Sequence, residues 1–180
     1  IESRCSEISF GCLYTIADDV LYKMDMNKGT KKELATGLNE DQYVASEDGH
    51  LVAYEKEDPS KSKSVTVMNL ETDQEYEVTC KDGECIKPLG FMDGDFVYGV
   101  AKTEEVGTTL SGAQVIPMYK VEITSSKDKV IKTYEQSGIY MLSATFEDNM
   151  ITLDRAVKDG DTYTGTAQDY ITSSEEAKES

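Results

Sequence analysis

The chain has 180 residues, 38% of them hydrophobic, with four Phe and eleven Tyr but no Trp, enough apolar material for one packed domain. Thirty-five acidic against eighteen basic residues give a net charge of −17, which repels phosphate backbones and anionic lipid surfaces and excludes nucleic acid as a partner. No apolar run approaches the length of a membrane span, so any targeting segment or membrane anchor is expected outside these residues.

Strand patterns dominate from the first residues onward. Short runs rich in Val, Ile, Thr, Tyr and Phe recur between turn signals, as in "QYVASEDGHLVAYEKE", "SVTVMNLETDQEYEV", "GDFVYGVAK" and "MITLDRAV". No segment carries a helical stripe of a dozen residues, and only "EEVGTTLSGAQ" and the acidic tail suit a short helical turn. Four stretches share one plan: "FGCLYTIADDVLYKMD", "QYVASEDGHLVAYEKE", "KPLGFMDGDFVYGVAK" and "YMLSATFEDNMITLDRAV" each run apolar, then a tight acidic turn, then apolar again. In the last three the turns centre on Gly49, Gly94 and Asn149, roughly 45 and 55 residues apart. A second set of turns, near Lys28, Thr72 and Ser125, keeps nearly the same beat. The longer third unit is accounted for by the insertion "TEEVGTTLSGAQVIP", where the second unit has only "KEDPSKSKS".

Units of about 40 to 50 residues with four strands have the period of a β-propeller blade. The chain is therefore expected to be all-β and β-propeller-like, with three to four antiparallel blades over residues 8–38, 41–79, 86–135 and 139–170 of a domain 1–170, and a polar tail 171–180. It forms either a very small ring or a segment of a larger propeller; a sandwich or an open array of sheets is the competing arrangement.

These landmarks resemble TolB-like and dipeptidyl-peptidase N-terminal propeller repeats, in which a "DG" hairpin is followed by an apolar strand with Tyr and then an outer hairpin. "SEDGHLVAYE" is similar to the inner hairpin of such a repeat and "VLYKMDMNKGTKKEL" to the outer one, and the likeness covers about residues 8–165. The Pro common in the inner turn is absent at position 47, which holds Glu47, and the third unit carries the insertion. The resemblance implies a propeller and transfers no catalytic residue, because in the peptidases the chemistry sits on a separate α/β-hydrolase domain that is not found in this chain.

The cysteines fall in two close pairs, Cys5 with Cys12 and Cys80 with Cys85, the latter around "KDGE". Cys80 and Cys85 are expected to face one another across a hairpin, within disulfide reach. Oxidised pairs would place the protein outside a reducing cytosol; four unrelated thiols are the alternative, since C-x4-C is no strong zinc-knuckle spacing and no His stands nearby. With no Asn-x-Ser/Thr sequon, an exported bacterial protein, extracellular or at the cell surface, is the favoured setting.

His50, the only histidine, follows Asp48-Gly49 and is expected as a solvent-facing turn residue rather than a catalytic base, with no G-x-S-x-G nucleophile anywhere. The triplets Asp93-Gly94-Asp95 and Asp159-Gly160-Asp161 read as hairpin turns, with weak Ca²⁺ binding as the lesser reading, and no other cofactor is expected. Tyr14, Tyr22, Tyr43, Tyr54, Tyr98, Tyr119 and Tyr140 read as packing between units rather than a sugar-stacking platform. The insertion is the expected binding loop, through Thr103, Glu104, Glu105, Thr108, Thr109, Ser111 and Gln114. The expected function is a non-enzymatic interaction module for a protein or a cell-surface polymer, meeting a membrane only through an anchor absent from these residues. The alternative is the substrate-gating propeller of a hydrolase whose catalytic domain lies outside the chain.

Overall fold

The computed structural model describes residues 6–9, 12–25, 28–36, 42–125, 129–147 and 149–172. The first unit holds β1 (Ser6–Ser9), β2 (Cys12–Ala17), β3 (Val20–Asp25) and β4 (Thr30–Ala35), and the second β5 (Tyr43–Ala45), β6 (Leu51–Tyr54), β7 (Ser64–Asn69) and β8 (Glu75–Thr79). Each is a four-stranded antiparallel meander in which neighbours in sequence are neighbours in the sheet. The third unit orders β9 (Glu84–Met92), β10 (Asp95–Lys102), β13 (Met118–Thr124) and β14 (Val130–Glu135) in the same way. The fourth runs β15 (Tyr140–Glu147), β16 (Met150–Asp159) and β17 (Thr162–Thr172), which carries Ile171 and Thr172 into the sheet, two residues past the expected end of the domain.

Turn chemistry sets these registers. Asp93 and Gly94 both adopt left-handed φ (53° and 82°), the geometry of a two-residue hairpin that follows the twist of its strands. Asp18 and Asp19 do the same without glycine (50° and 63°), since a short polar side chain tolerates this region. That Asp-Asp turn joins β2 to β3, whereas the turns at 46–50 and 93–94 and the short link from Glu147 to Met150 join the first two strands of their units. The first unit therefore matches the others through its outer hairpin and not through this turn.

Consecutive units stack face to face. Leu21 of the first packs with Val52, Tyr54, Met68 and Leu70 of the second. Ala53, Val65, Val67 and Val78 of the second meet Ile86, Phe96, Tyr98 and Val100 of the third. Met92, Val97, Val121 and Ile123 of the third pack with Met141, Ile151, Leu153 and Ile171 of the fourth. Stacked antiparallel meanders whose first strands lie on one side are propeller-like blades.

The insertion is ordered. After a single 3₁₀ turn (Thr103–Glu105), β11 (Gly107–Thr109) pairs in parallel with the start of β17, Thr108 beside Thr162 and Thr109 beside Tyr163, and turns back as β12 (Gln114–Val115). A connection within the third unit thus lies along the edge of the fourth, and a bridge from Met118 to Met141 joins the two sheets near its base.

Candidate functional site

The first strands of the second, third and fourth units, β5, β9 and β15, converge on a cavity of about 1240 Å³. Its walls are Tyr43, Val44 and Ala45 from β5, Leu89 to Met92 from β9, and Phe146 and Glu147 from β15; Ser46 to Asp48, Asp93 and Gly94 form its rim. A break in strand alternation shapes the lining: the pairing of β9 with β10 steps from Gly90 opposite Val97 to Pro88 opposite Tyr98, which leaves Leu89 as a bulge and turns it out of step with Phe91. Phe91 leans toward the second unit and meets Phe96 at a tilt (ring centroids 5.4 Å apart), while Leu89 and Met92 turn toward the fourth. Gly90 brings the third and fourth units together here, because a Cβ on it would lie 2.6 Å from the ring of Phe146. The result is an aromatic floor under a rim of carboxylates: Glu47, Asp48, Asp93 and Glu147.

The rim is rigid on the side of the second unit. Ser46 Oγ donates to Asp48 Oδ1 (2.6 Å), the His50 amide donates to the same oxygen (2.9 Å), and the Leu51 amide donates to Ser46 Oγ (3.0 Å). The Ser46 hydroxyl, followed by the His50 amide, holds the Asp48 carboxyl below its ordinary range, so it presents a fixed negative charge. Just past the rim, burial and then the neighbouring charge of Asp93 raise Asp95, which is half-buried at the start of β10.

His50 keeps its turn position but is half-buried rather than solvent-facing. Its Nδ1 lies 3.0 Å from Glu71 Oε1 in the outer turn of the same unit, and its carbonyl accepts the Leu70 amide (2.8 Å). It joins the two turns of the second unit. Asp93-Gly94 and Asp159–Asp161 close hairpins, and among the described residues no three His, Cys, Asp or Glu side chains are arranged to hold a metal ion. Tyr54 and Tyr98 are buried in the clusters between units, Tyr140 meets Tyr163 edge to face (5.4 Å), and Tyr43 lines the cavity; the Tyr22 ring carries Lys31 Nζ at 3.9 Å, and the side chain of Tyr14 lies outside the described residues.

The residues of the insertion divide. Thr103, Glu104 and Glu105 form the 3₁₀ turn, Thr108 and Thr109 are spent on pairing, and Ser111 bonds Thr109 (2.8 Å) beside the exposed tip residue Leu110. Tyr163 Oη donates to the Glu105 carbonyl (2.5 Å), and Gly107 fits because a Cβ there would lie 2.9 Å from the Asp161 carbonyl oxygen. Gln114, in β12, is exposed. The expected Cys80–Cys85 disulfide is not formed: both thiols are free, because Cys85 is fully buried in the cluster between the third and fourth units while Cys80 packs against the one between the second and third; Cys5 lies outside the described residues, and Cys12 is in β2.

Sequence reasoning did not find Phe91 and Phe146, which read there only as strand residues. Their signal is an aromatic placed just before an acidic inner turn, in "GFMDGD" and "TFEDN". No family and no curated protein matches the chain. Among solved structures it is similar to U3-55K (TM-score 0.46, 13% identity, 92% of this chain and 51% of that one). It is also similar to the extracellular domain of a one-component system from B. thetaiotaomicron (TM-score 0.47, 11% identity, 92% and 20%). A third is the β-propeller domain of the Trilobed protease from Pyrococcus furiosus (TM-score 0.45, 12% identity, 95% and 57%). The chain spans between 20% and 57% of the length of these neighbours.

Proposed function

We propose that the chain is an exported, non-enzymatic interaction module that binds a protein segment or cell-surface polymer carrying cationic groups at the mouth between β5, β9 and β15. One observation carries this reading: the cavity of about 1240 Å³ combines an aromatic floor with a carboxylate rim. Aromatic faces attract cations as well as apolar groups, and carboxylates set on rigid turns select positive charge without reorganising. The Asp48 carboxyl is committed to its turn, which suits a fixed recognition charge better than a proton-transfer group.

Calorimetric titration with an oligolysine peptide and with chitosan, beside a neutral polysaccharide, tests the reading. Saturable binding of a cationic probe that weakens with salt is expected. Because the whole surface is acidic, the deciding comparison is between an Asp93→Asn, Glu147→Gln variant and an Asp82→Asn, Glu33→Gln control of equal net charge. The mouth variant should lose about tenfold in affinity and the control less than about twofold. Equal losses, or no binding, would sink the proposal.

A further inference from the structure

Beside the mouth, a groove of about 570 Å³ lies between the second and third units. Its walls are Leu51, Val67, Asn69, Gln74, Tyr76 and Phe91, with Gly94 at the edge it shares with the mouth. Strand pleating explains its chemistry. Val67 stands opposite Tyr76, Asn69 opposite Gln74 and Leu51 opposite Asn69, so all five share the face of the second unit that the third unit covers. Farther from the mouth that face is closed, with Ala53, Val65 and Val78 buried against Ile86, Phe96 and Tyr98. The cover stops where β9 and β10 turn back at Asp93-Gly94, while β6 and β7 carry the face on to Leu51 and Asn69. Leu51, Tyr76 and Phe91 are left half-buried there.

The groove differs from the mouth in charge. Glu75 lies beside it, but the same alternation points its side chain to the opposite face, where burial and then the charge of Glu75 raise Tyr54. The side chains on the groove's own face are therefore uncharged in a chain of net charge −17, while the adjoining mouth is rimmed by Glu47, Asp48, Asp93 and Glu147. Its floor is the open end of an aromatic row: Phe91 meets Phe96 (5.4 Å), and Phe96 stacks on Tyr98 (5.5 Å). Phe91 lines both openings. Gly94 borders both as well, with no atom within 4 Å of the place a Cβ would take, so the divide between them is low.

We propose that the groove is the second pocket of a peptide-binding site, taking an aromatic or large aliphatic side chain of a partner segment whose basic residue, about two or three positions away, occupies the mouth. The proposal rests on the reading of the mouth and narrows its ligand to a protein segment. An extended chain advances about 3.3 Å per residue, so two or three residues reach across the one ring that separates the openings. Charge complementarity sets the order: the cation goes to the carboxylate rim and the neutral side chain to the uncharged slot. An aromatic group entering the slot extends the row that ends at Phe91, and the exposed Gln74 amide stands beside it to meet the peptide backbone. A polymer of uniform cationic repeats has nothing to place there.

The test is calorimetric titration of the folded chain with two capped hexapeptides of equal charge, Lys-Lys-Gly-Phe-Lys-Lys and Lys-Lys-Gly-Ala-Lys-Lys. The Phe peptide should bind about tenfold more tightly. Gln74→Trp, whose own side chain fills the groove, should cut that ratio below about twofold. The Asp93→Asn, Glu147→Gln pair should weaken both peptides about tenfold and keep the ratio. In amide shift maps, only the Phe peptide should move residues 51, 67 and 76. Equal affinities, with both peptides weakened by the mouth pair, would overturn the groove and leave the mouth standing. A Phe advantage with no loss from the mouth pair would overturn the mouth reading and the two-pocket ligand with it. Shifts at 51, 67 and 76 that grow with protein concentration in the absence of peptide would assign the groove to a second copy and overturn the proposal. The unsubstituted chain answers the first comparison even where Gln74→Trp folds poorly.

Discussion

The third and fourth units share one antiparallel plan, yet their strands are written differently. In β10 every residue from Phe96 to Ala101 is buried, whereas β15 alternates from Ser143 onward, with Ser143, Thr145 and Glu147 exposed between Ala144 and Phe146. Phe96, Tyr98 and Val100 face the second unit, while Val97 and Ala101 face the fourth, so β10 meets apolar neighbours on both sides. The fourth unit packs Met141, Ile151, Leu153 and Ile171 against the third; its other face carries Asp154, bonded by Ser143 (2.5 Å) and Gln168 (2.6 Å). Hydrophobic period thus reports how many faces of a blade are covered.

The junctions differ too. The second and third units meet mainly through side-chain packing around Phe96, which is fully buried, with the Ile86 amide donating to the Ser62 carbonyl (2.9 Å). The third and fourth are joined as well by strand pairing through β11 and by a polar strut, in which Arg155 bonds Gln136 Oε1 (2.7 Å) and Tyr134 Oη (3.2 Å) and Tyr134 donates to Asp169 (2.5 Å). Removing packing should therefore hurt the first junction most. Phe96→Ala is expected to cost about 3–5 kcal/mol in chemical denaturation. Gly107→Ala, which forces a Cβ against the Asp161 carbonyl, should cost about 1–3 kcal/mol and speed amide exchange at 107–109 and 162–163 while leaving 65–67 unchanged.

Smaller effects sharpen the contrast. Tyr134→Phe removes one member of the strut and should cost about 1 kcal/mol. Raising pH should loosen the same junction. Burial, and then Glu105, push Tyr163 up to about 12 from its ordinary 10. The fold holds this hydroxyl protonated, so above pH 10 the unfolded chain ionises first, and the stability contributed is present below pH 10 and lost as pH rises to about 12. An absorbance titration should show a tyrosine ionising near pH 12, and Gly107→Ala should bring it down toward 10. Thr145→Ala, on the open face of β15, should change stability by no more than about 0.5 kcal/mol.

The all-β, propeller-like class was legible because it is written in turn residues and short periods: Asp48-Gly49 and Asp93-Gly94 set two inner hairpins, and β-branched runs flank them. The path of the insertion was not, because Gly107–Thr109 is too short to announce a strand and its partner is more than 50 residues away, at Thr162 and Tyr163. The mouth was hidden for a related reason. Phe91 and Phe146 look like any strand aromatic until three first strands are brought to one side, and that convergence is a property of stacking rather than of local pattern.

The claim that the mouth is the binding site is tested most directly by mapping amide chemical shifts while an oligolysine peptide is titrated into the labelled protein. The account predicts saturable changes concentrated at 43–48, 89–94 and 146–147. Changes centred on 103–115, or spread evenly over the acidic surface, would contradict it.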